Sequence, residues 1–230
     1  MIEKFGDEIW LIDGPVVAGW AGFRFPTRKA VIRLGDGGLF VWSPVAICPE
    51  IKGFLDTLGP VRHIVAPNSL HNVFVARWQA EFPDAQVWGA PGIERRQPGL
   101  RPDAELSDSP PPEWEVEIDQ VMLSGNLITT EIVFFHRQSG TAIFTDMLQN
   151  FPKGWFTGWR GVVARFNRLR GQEPAVPATF RSAFVRRGPA RGAVAKILEW
   201  PVEQVVMAHG VPVTEDAGGF LARSFRWLTG

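Results

Sequence analysis

The chain has no tyrosine, a single cysteine and only four histidines among its 230 residues. With Cys48 alone, neither a disulfide framework nor a cysteine-based metal cluster can form within one chain. No uncharged apolar run approaches the ~18 residues of a membrane span. The opening Met-Ile-Glu-Lys-Phe-Gly-Asp lacks the basic region and apolar core of a signal peptide, so a soluble, cytoplasmic protein is expected. Gly35, Gly37 and Gly38 lack the spacing and the Lys-Ser/Thr pair of a phosphate loop, and read better as a hairpin turn. Neither Ser69 nor Ser139 sits in a Gly-x-Ser-x-Gly elbow, which argues against a serine hydrolase.

Hydrophobic residues make up 45% of the chain, with 10 Trp and 17 Phe, enough for a sizeable core at this length. The net charge of zero hides an asymmetry. Residues 1–150 carry 12 Lys/Arg against 19 Asp/Glu, whereas 151–192 carry 9 against one. A basic segment on an acidic body requires an explanation.

Strands are predicted over 8–14, 29–44 (folded at Gly35–Gly38), 61–67 and 85–92, where β-branched and aromatic runs are punctuated by Gly and Pro. Pro49 at a first helical turn, Ile51, Leu55 and Leu58 on one face, and Gly59 as a stop predict a helix over 48–59. A second helix is expected over 73–83. After a proline-rich connection at 98–114, alternation predicts a strand over 113–123, followed by strands at 130–136 and 141–148. A short helix feeding a last strand is expected over 196–210, and a helix closes the chain over 218–228. These elements suggest an α/β sandwich with helices outside.

His63 opens a strand and reads as a structural histidine. His71, His136 and His209 each fall at or beyond the carboxyl end of a predicted strand, as does Asp146. Strand ends are where α/β proteins assemble sites, and imidazoles with a carboxylate suit zinc, iron or manganese.

"VVMAHGVPV", ending at His209-Gly210, resembles the last metal-binding strand of the metallo-β-lactamase superfamily. "HRQSGTAIFTDML" resembles its preceding histidine and bridging-aspartate motifs. "VRHIVAPNSLHN" lies where the superfamily has its His-x-His-x-Asp-His loop, but offers Pro-Asn-x-x-His, with Asn68, Leu70 and Asn72 against the first two histidines and the aspartate. The resemblance covers roughly residues 5–150 and 194–215. It implies a single α/β (α+β) domain over 1–230, folded as a four-layer αββα sandwich, and metal-assisted hydrolysis of an ester, lactone or phosphodiester. His136, Asp146 and His209 would be ligands by that resemblance, with His71 the survivor of a thinned loop and Asp146 also a carboxylate able to orient water. One divalent ion per chain is expected, zinc before iron or manganese. The alternative is a binding protein of the same fold that holds no metal and grips an anionic partner.

The insertion at 151–192 contains "GWFTGWRGVVARFNRLRG". As a helix it lines up Phe156, Trp159, Val163 and Phe166 on one face and Arg165 and Arg168 largely on another. The first reading is a packed amphipathic helix whose arginines pair with the acidic body. As a lid, Trp155, Trp159 and Arg160 would join Asn68 in holding an anionic small-molecule substrate. A nucleic-acid or lipid surface is the least favoured reading. The aromatic insertion also leaves room for a homodimer.

Overall fold

The computed structural model describes residues 1–19, 22–152, 154–169 and 176–230. Arg170, counted above in the basic segment, lies outside the described residues. The first half builds strands β1 (Ile2–Gly6), β2 (Ile9–Asp13), β3 (Val17–Ala18), β4 (Arg24–Phe25), β5 (Arg28–Arg33) and β6 (Leu39–Trp42). Helix α1 (Pro49–Leu58), β7 (Val61–Ala66), α2 (Val75–Glu81), β8 (Gln86–Gly89), α3 (Ile93–Arg96) and β9 (Ala104–Glu105) complete it. The second half contains β10 (Ile118–Leu123), β11 (Glu131–His136), β12 (Thr141–Phe144), α4 (Gly158–Phe166), α5 (Ala178–Ser182), α6 (Arg187–Glu199), β13 (Gln204–Met207) and α7 (Ala217–Thr229).

One sheet has the order β1-β2-β5-β6-β7-β8-β9 and the other β10-β11-β12-β13, while β3 and β4 form a separate ribbon. Strand alternation explains the layering. In β5, Ala30 and Ile32 face the second sheet, and Val31 faces the helices on the outside. Phe40, Trp42, Phe134, Ile143 and Val206 fill the space between the sheets. Leu55 of α1 and Trp78 of α2 cover the first sheet, and Val194 of α6 with Phe220 and Phe225 of α7 cover the second. The four-layer αββα sandwich is therefore the observed architecture. Among the described residues, no helix is long and apolar enough to cross a membrane.

Three local expectations need correction. The acidic–apolar alternation of 113–123 forms a strand only from Ile118. Before it, the chain turns so that Trp114 enters the inter-sheet core, its ring 4.7 Å from that of Trp88 and 5.0 Å from that of Phe40. The helix expected from 196 begins at Arg187. Gly188, Pro189 and Gly192 disguise it, but proline is tolerated in a first turn, where its missing N–H would be unsatisfied anyway. In α4, Gly161 and Ala164 are the buried residues. Small residues bring the helix close to the body; of the apolar stripe expected, Phe156 is buried just before the helix, whereas Trp159, Val163 and Phe166 are exposed.

Lys29 is wholly buried on the outer face of the first sheet, its Nζ 3.9 Å from the ring centre of Trp78 and without a hydrogen-bond partner among the described residues. Burial pulls its pKa down to about 7 from an ordinary 10.5, with the neighbouring Cys48 opposing. The unfolded chain therefore binds more protons between about pH 7 and 10.5, and Lys29 makes stability rise with pH across that window. Lys29→Met should be more stable than wild type by on the order of 3 kcal/mol at pH 7. The gain should vanish above about pH 10.5, measured by urea denaturation at a series of pH values.

Candidate metal centre

In each sheet the strands that carry the site run parallel to a neighbour: β6 with β7, and β12 with β13. Their carboxyl ends therefore gather at one edge of the sandwich, placing Ser43 and the loop after β7 opposite Asp146 and His209. An isolated bridge between Asn68 and Glu131 joins the two edges, and the Ile132 amide donates to the Pro67 carbonyl at 2.8 Å.

Asp146 lies at the centre. His71 Nε2 is 3.3 Å from its Oδ2, and His209 Nε2 is 3.4 Å from its Oδ1. The imidazole centres are 5.2 Å apart. One donor atom from each residue can be chosen so that all three lie within 4.8 Å of one another. The outer nitrogens are tied: His209 Nδ1 donates to the Pro26 carbonyl at 2.7 Å, and His71 Nδ1 is 2.7 Å from the Ser43 hydroxyl. Such tethers set ring orientation and the tautomer available for ligation. Ser43 holds its position in the left-handed region at φ 51°, a conformation that costs a non-glycine residue on the order of 1–2 kcal/mol. Gly210 has its own reason to be glycine. At φ 120°, a Cβ there would lie 2.0 Å from the Asn150 carbonyl oxygen, so the chain after His209 can close onto Asn150 only without a side chain.

Beneath the site two carboxylates are buried side by side. Glu131 accepts the amides of Thr145, Asp146 and Met147 at 2.8, 2.8 and 3.1 Å. Burial, reinforced by the neighbouring Asp146 charge, raises its pKa to about 7 against those hydrogen bonds. Burial would raise Asp146 as well, but the charges and hydrogen bonds of His71 and His209 outweigh it and hold the carboxyl below the usual range. Burial pulls the His209 imidazole down, and the hydrogen bond and charge of Asp146 more than reverse this.

The structure brings His71, Asp146 and His209 together and leaves His136 out. β11 runs antiparallel to β12 with His136 opposite Thr141, so its carboxyl end lies at the far edge of the sheet. The length of β12 separates it from Asp146, roughly 15 Å at about 3.3 Å per residue. There the His136 ring is fully buried, bonded to Ser139 at 2.7 Å, and burial lowers its pKa to about 4. A histidine at a strand end marks a site only if that strand runs in the right direction.

Asn68 is not a substrate contact. It is fully buried, and its amide nitrogen donates to Asp146 Oδ2 at 2.7 Å and Thr145 Oγ1 at 2.9 Å. Its oxygen accepts the amides of Leu70 and His71 at 2.9 and 3.0 Å. It therefore orients both His71 and Asp146 by holding the loop from behind. Trp155, Trp159 and Arg160 also stay clear of the cavity over His71, Asp146 and His209. The Trp155 indole donates to the Arg24 carbonyl, the Trp159 ring meets Phe23 edge-on, and the Arg160 guanidinium lies 4.8 Å from the Trp159 ring centre.

Sequence reasoning missed Glu131, Ser43 and Arg96. The signal for Glu131 was an acidic residue heading the otherwise apolar run EIVFFH. Ser43 gave no sign, because its role depends on a backbone twist. Arg96 lines the roughly 660 Å³ cavity above His71, Asp146 and His209, with its Nη2 donating to the Ile128 carbonyl at 3.0 Å.

Comparison with solved structures agrees with this architecture. A metallo-β-lactamase from Pontibacter korlensis superposes with a TM-score of 0.67 at 11% identity, covering 100% of this chain and 99% of that one. One from Hirschia baltica gives 0.62 at 16% identity, covering 100% and 97%. The metallo-β-lactamase FIM-1 from Pseudomonas aeruginosa in its mono-zinc form gives 0.65 at 12% identity, covering 100% and 96%. The chain thus has the metallo-β-lactamase superfamily fold. Within it, residues 6–157 match the model of a domain of unknown function, DUF4336, and the protein belongs to that family. No curated protein matches the sequence.

Glu131→Ala should leave three backbone amides buried and unpaired. We expect a loss of about 3 kcal/mol of stability and at least about tenfold weaker zinc binding, read by denaturant unfolding and by competition with a chelator. Unchanged values in both measurements would remove Glu131 from any supporting role.

Proposed function

We propose that the protein is a metal-dependent hydrolase with a mononuclear centre whose protein ligands are His71, Asp146 and His209. The observation that carries this reading is the convergence of two tethered imidazoles and one carboxylate at the floor of a cavity.

The donor set fits a divalent ion. With bonds of about 2.0–2.1 Å, the edge of a tetrahedral zinc site is about 3.4 Å; each imidazole stands at that distance from a different carboxylate oxygen, His71 at 3.3 Å from Oδ2 and His209 at 3.4 Å from Oδ1, and one donor atom from each of the three residues lies within 4.8 Å of the others. With Nδ1 of His209 committed to a carbonyl, Nε2 is the nitrogen free to ligate once it gives up its proton. Zinc is the first choice; two imidazoles and one carboxylate also suit iron, and manganese is a third candidate. Without His136 the set has three protein ligands, the number typical of a catalytic centre with an open position, where four would close a structural one. A bound ion of this kind supplies Lewis acidity and lowers the pKa of water towards neutrality.

The chain's own residues do the rest. Asn68 and Glu131 fix Asp146 from below, leaving little motion in the carboxylate. Ser43 and Pro26 fix the two rings. The cavity volume lies within the range of about 300–1,000 Å³ usual for small-molecule sites. Arg96 on its wall offers a guanidinium to a carboxylate or phosphate on the substrate, the geometry such a fork favours. Phe25, Leu70 and Phe74 around the ligands exclude water and strengthen charge interactions inside.

The test is elemental analysis of untagged protein purified without added metal. About one zinc, iron or manganese per chain is expected, lost in His209→Ala and retained in His136→Ala. Equal metal in wild type and His209→Ala would overturn the assignment. No metal in any sample, even after soaking, would favour a cleft that binds without catalysis.

A further inference from the structure

A second cavity of roughly 670 Å³ opens beside the metal-site cavity. The two share Phe25, Gln149 and Phe180 in their walls, so a ligand can lie in both at once. The chamber is walled mainly by apolar side chains, among them Phe23, Val163, Phe166 and Leu169, with Asn167, Thr179 and Ser182 as polar members besides Gln149. Val163 and Phe166 come from the outward face of α4, and Phe166 is 80% exposed although it belongs to this wall. An aromatic side chain left in water at the rim of an apolar chamber gains free energy only when something apolar covers it.

Gln149 stands at the junction. It is 4% exposed. Its Nε2 makes a 3.3 Å contact with the Asp146 carbonyl, while its Oε1 finds no hydrogen-bond partner among the described residues. A buried amide oxygen without a donor is costly, and a ligand N–H at this point would satisfy it.

We propose that the chamber holds the linear acyl chain of an amide substrate, with the amide head beside Gln149 and the carbonyl towards His71, Asp146 and His209. This rests on the hydrolase reading for its reaction but not for its binding. Hydrolysis consumes one water: its hydroxyl forms the new C–O bond to the acyl carbon, the C–N bond breaks, and the remaining proton goes to the departing amine. Gln149 acts as a positioning residue, and Arg96 faces whatever acid the amine portion carries.

The experiment is calorimetric titration of butanamide, hexanamide and octanamide, with methyl octanoate as the ester control. It uses protein as purified and after treatment with chelator. Affinity should rise about three- to fourfold per methylene, octanamide should bind at least tenfold more tightly than methyl octanoate, and both trends should survive chelation. Phe166→Asp, at an exposed position, should weaken octanamide at least tenfold while leaving zinc content and butanamide binding as in wild type. Val163→Asp provides the same test should Phe166→Asp express poorly. Chain-length-independent binding, or equal affinity for amide and ester, overturns the proposal even where the protein binds zinc. Chain-length-dependent amide binding by a protein that never takes up metal supports the chamber and overturns only the hydrolase.

Discussion

The Asp146 carboxylate, buried between two imidazoles, is the interaction on which the rest of this site depends. Removing a carboxylate from water costs several kcal/mol, and here a second buried carboxylate, Glu131, lies directly behind it. Among the described residues, neither is hydrogen-bonded or ion-paired to an arginine or lysine. Glu131 is stabilised by three consecutive amides of the turn that carries Asp146, and Asp146 by the Asn68 amide and the two imidazoles. The turn after β12 therefore wraps around one acid in order to present the other. A metal ion would place positive charge where this arrangement most needs it.

The clamp also ties the two sheets at their common edge. Asn68 follows a strand of the first sheet and Asp146 a strand of the second, and the amide between them spans the seam. The three hydrophobic layers hold the sandwich together elsewhere without specifying how the edges meet, because burial is non-directional. Directional hydrogen bonds at the seam supply that register. One asparagine that both caps its own loop and grips the opposite sheet is an economical way to position His71 against His209.

Much of the frame was legible in the residues. The Pro49 start and Gly59 stop of α1, the hairpin at Gly35–Gly38 and the apolar runs of β7 and β12 all follow from local chemistry. Errors arose where a pattern had two physical solutions. The alternation before Ile118 could make a strand or bury Trp114 from a turn. The apolar stripe of α4 could face inward or line a chamber beside it, and Gly161 with Ala164 made the small face the better one to bury.

The residues alone determined which side chains could ligate a metal, where strands ended, and that His71, Asp146 and His209 stood at such ends, because periodicity and turn chemistry are local. Tertiary structure decided which of those ends meet. β11 runs opposite to β12, which sends His136 to the far edge, and the parallel pairing of β12 with β13 brings Asp146 and His209 together. Strand direction within a sheet is a long-range property, set by how the whole chain packs, and no spacing along the chain encodes it. The same holds for Asn68, whose polarity was evident but whose burial behind Asp146 required both sheets to be in place.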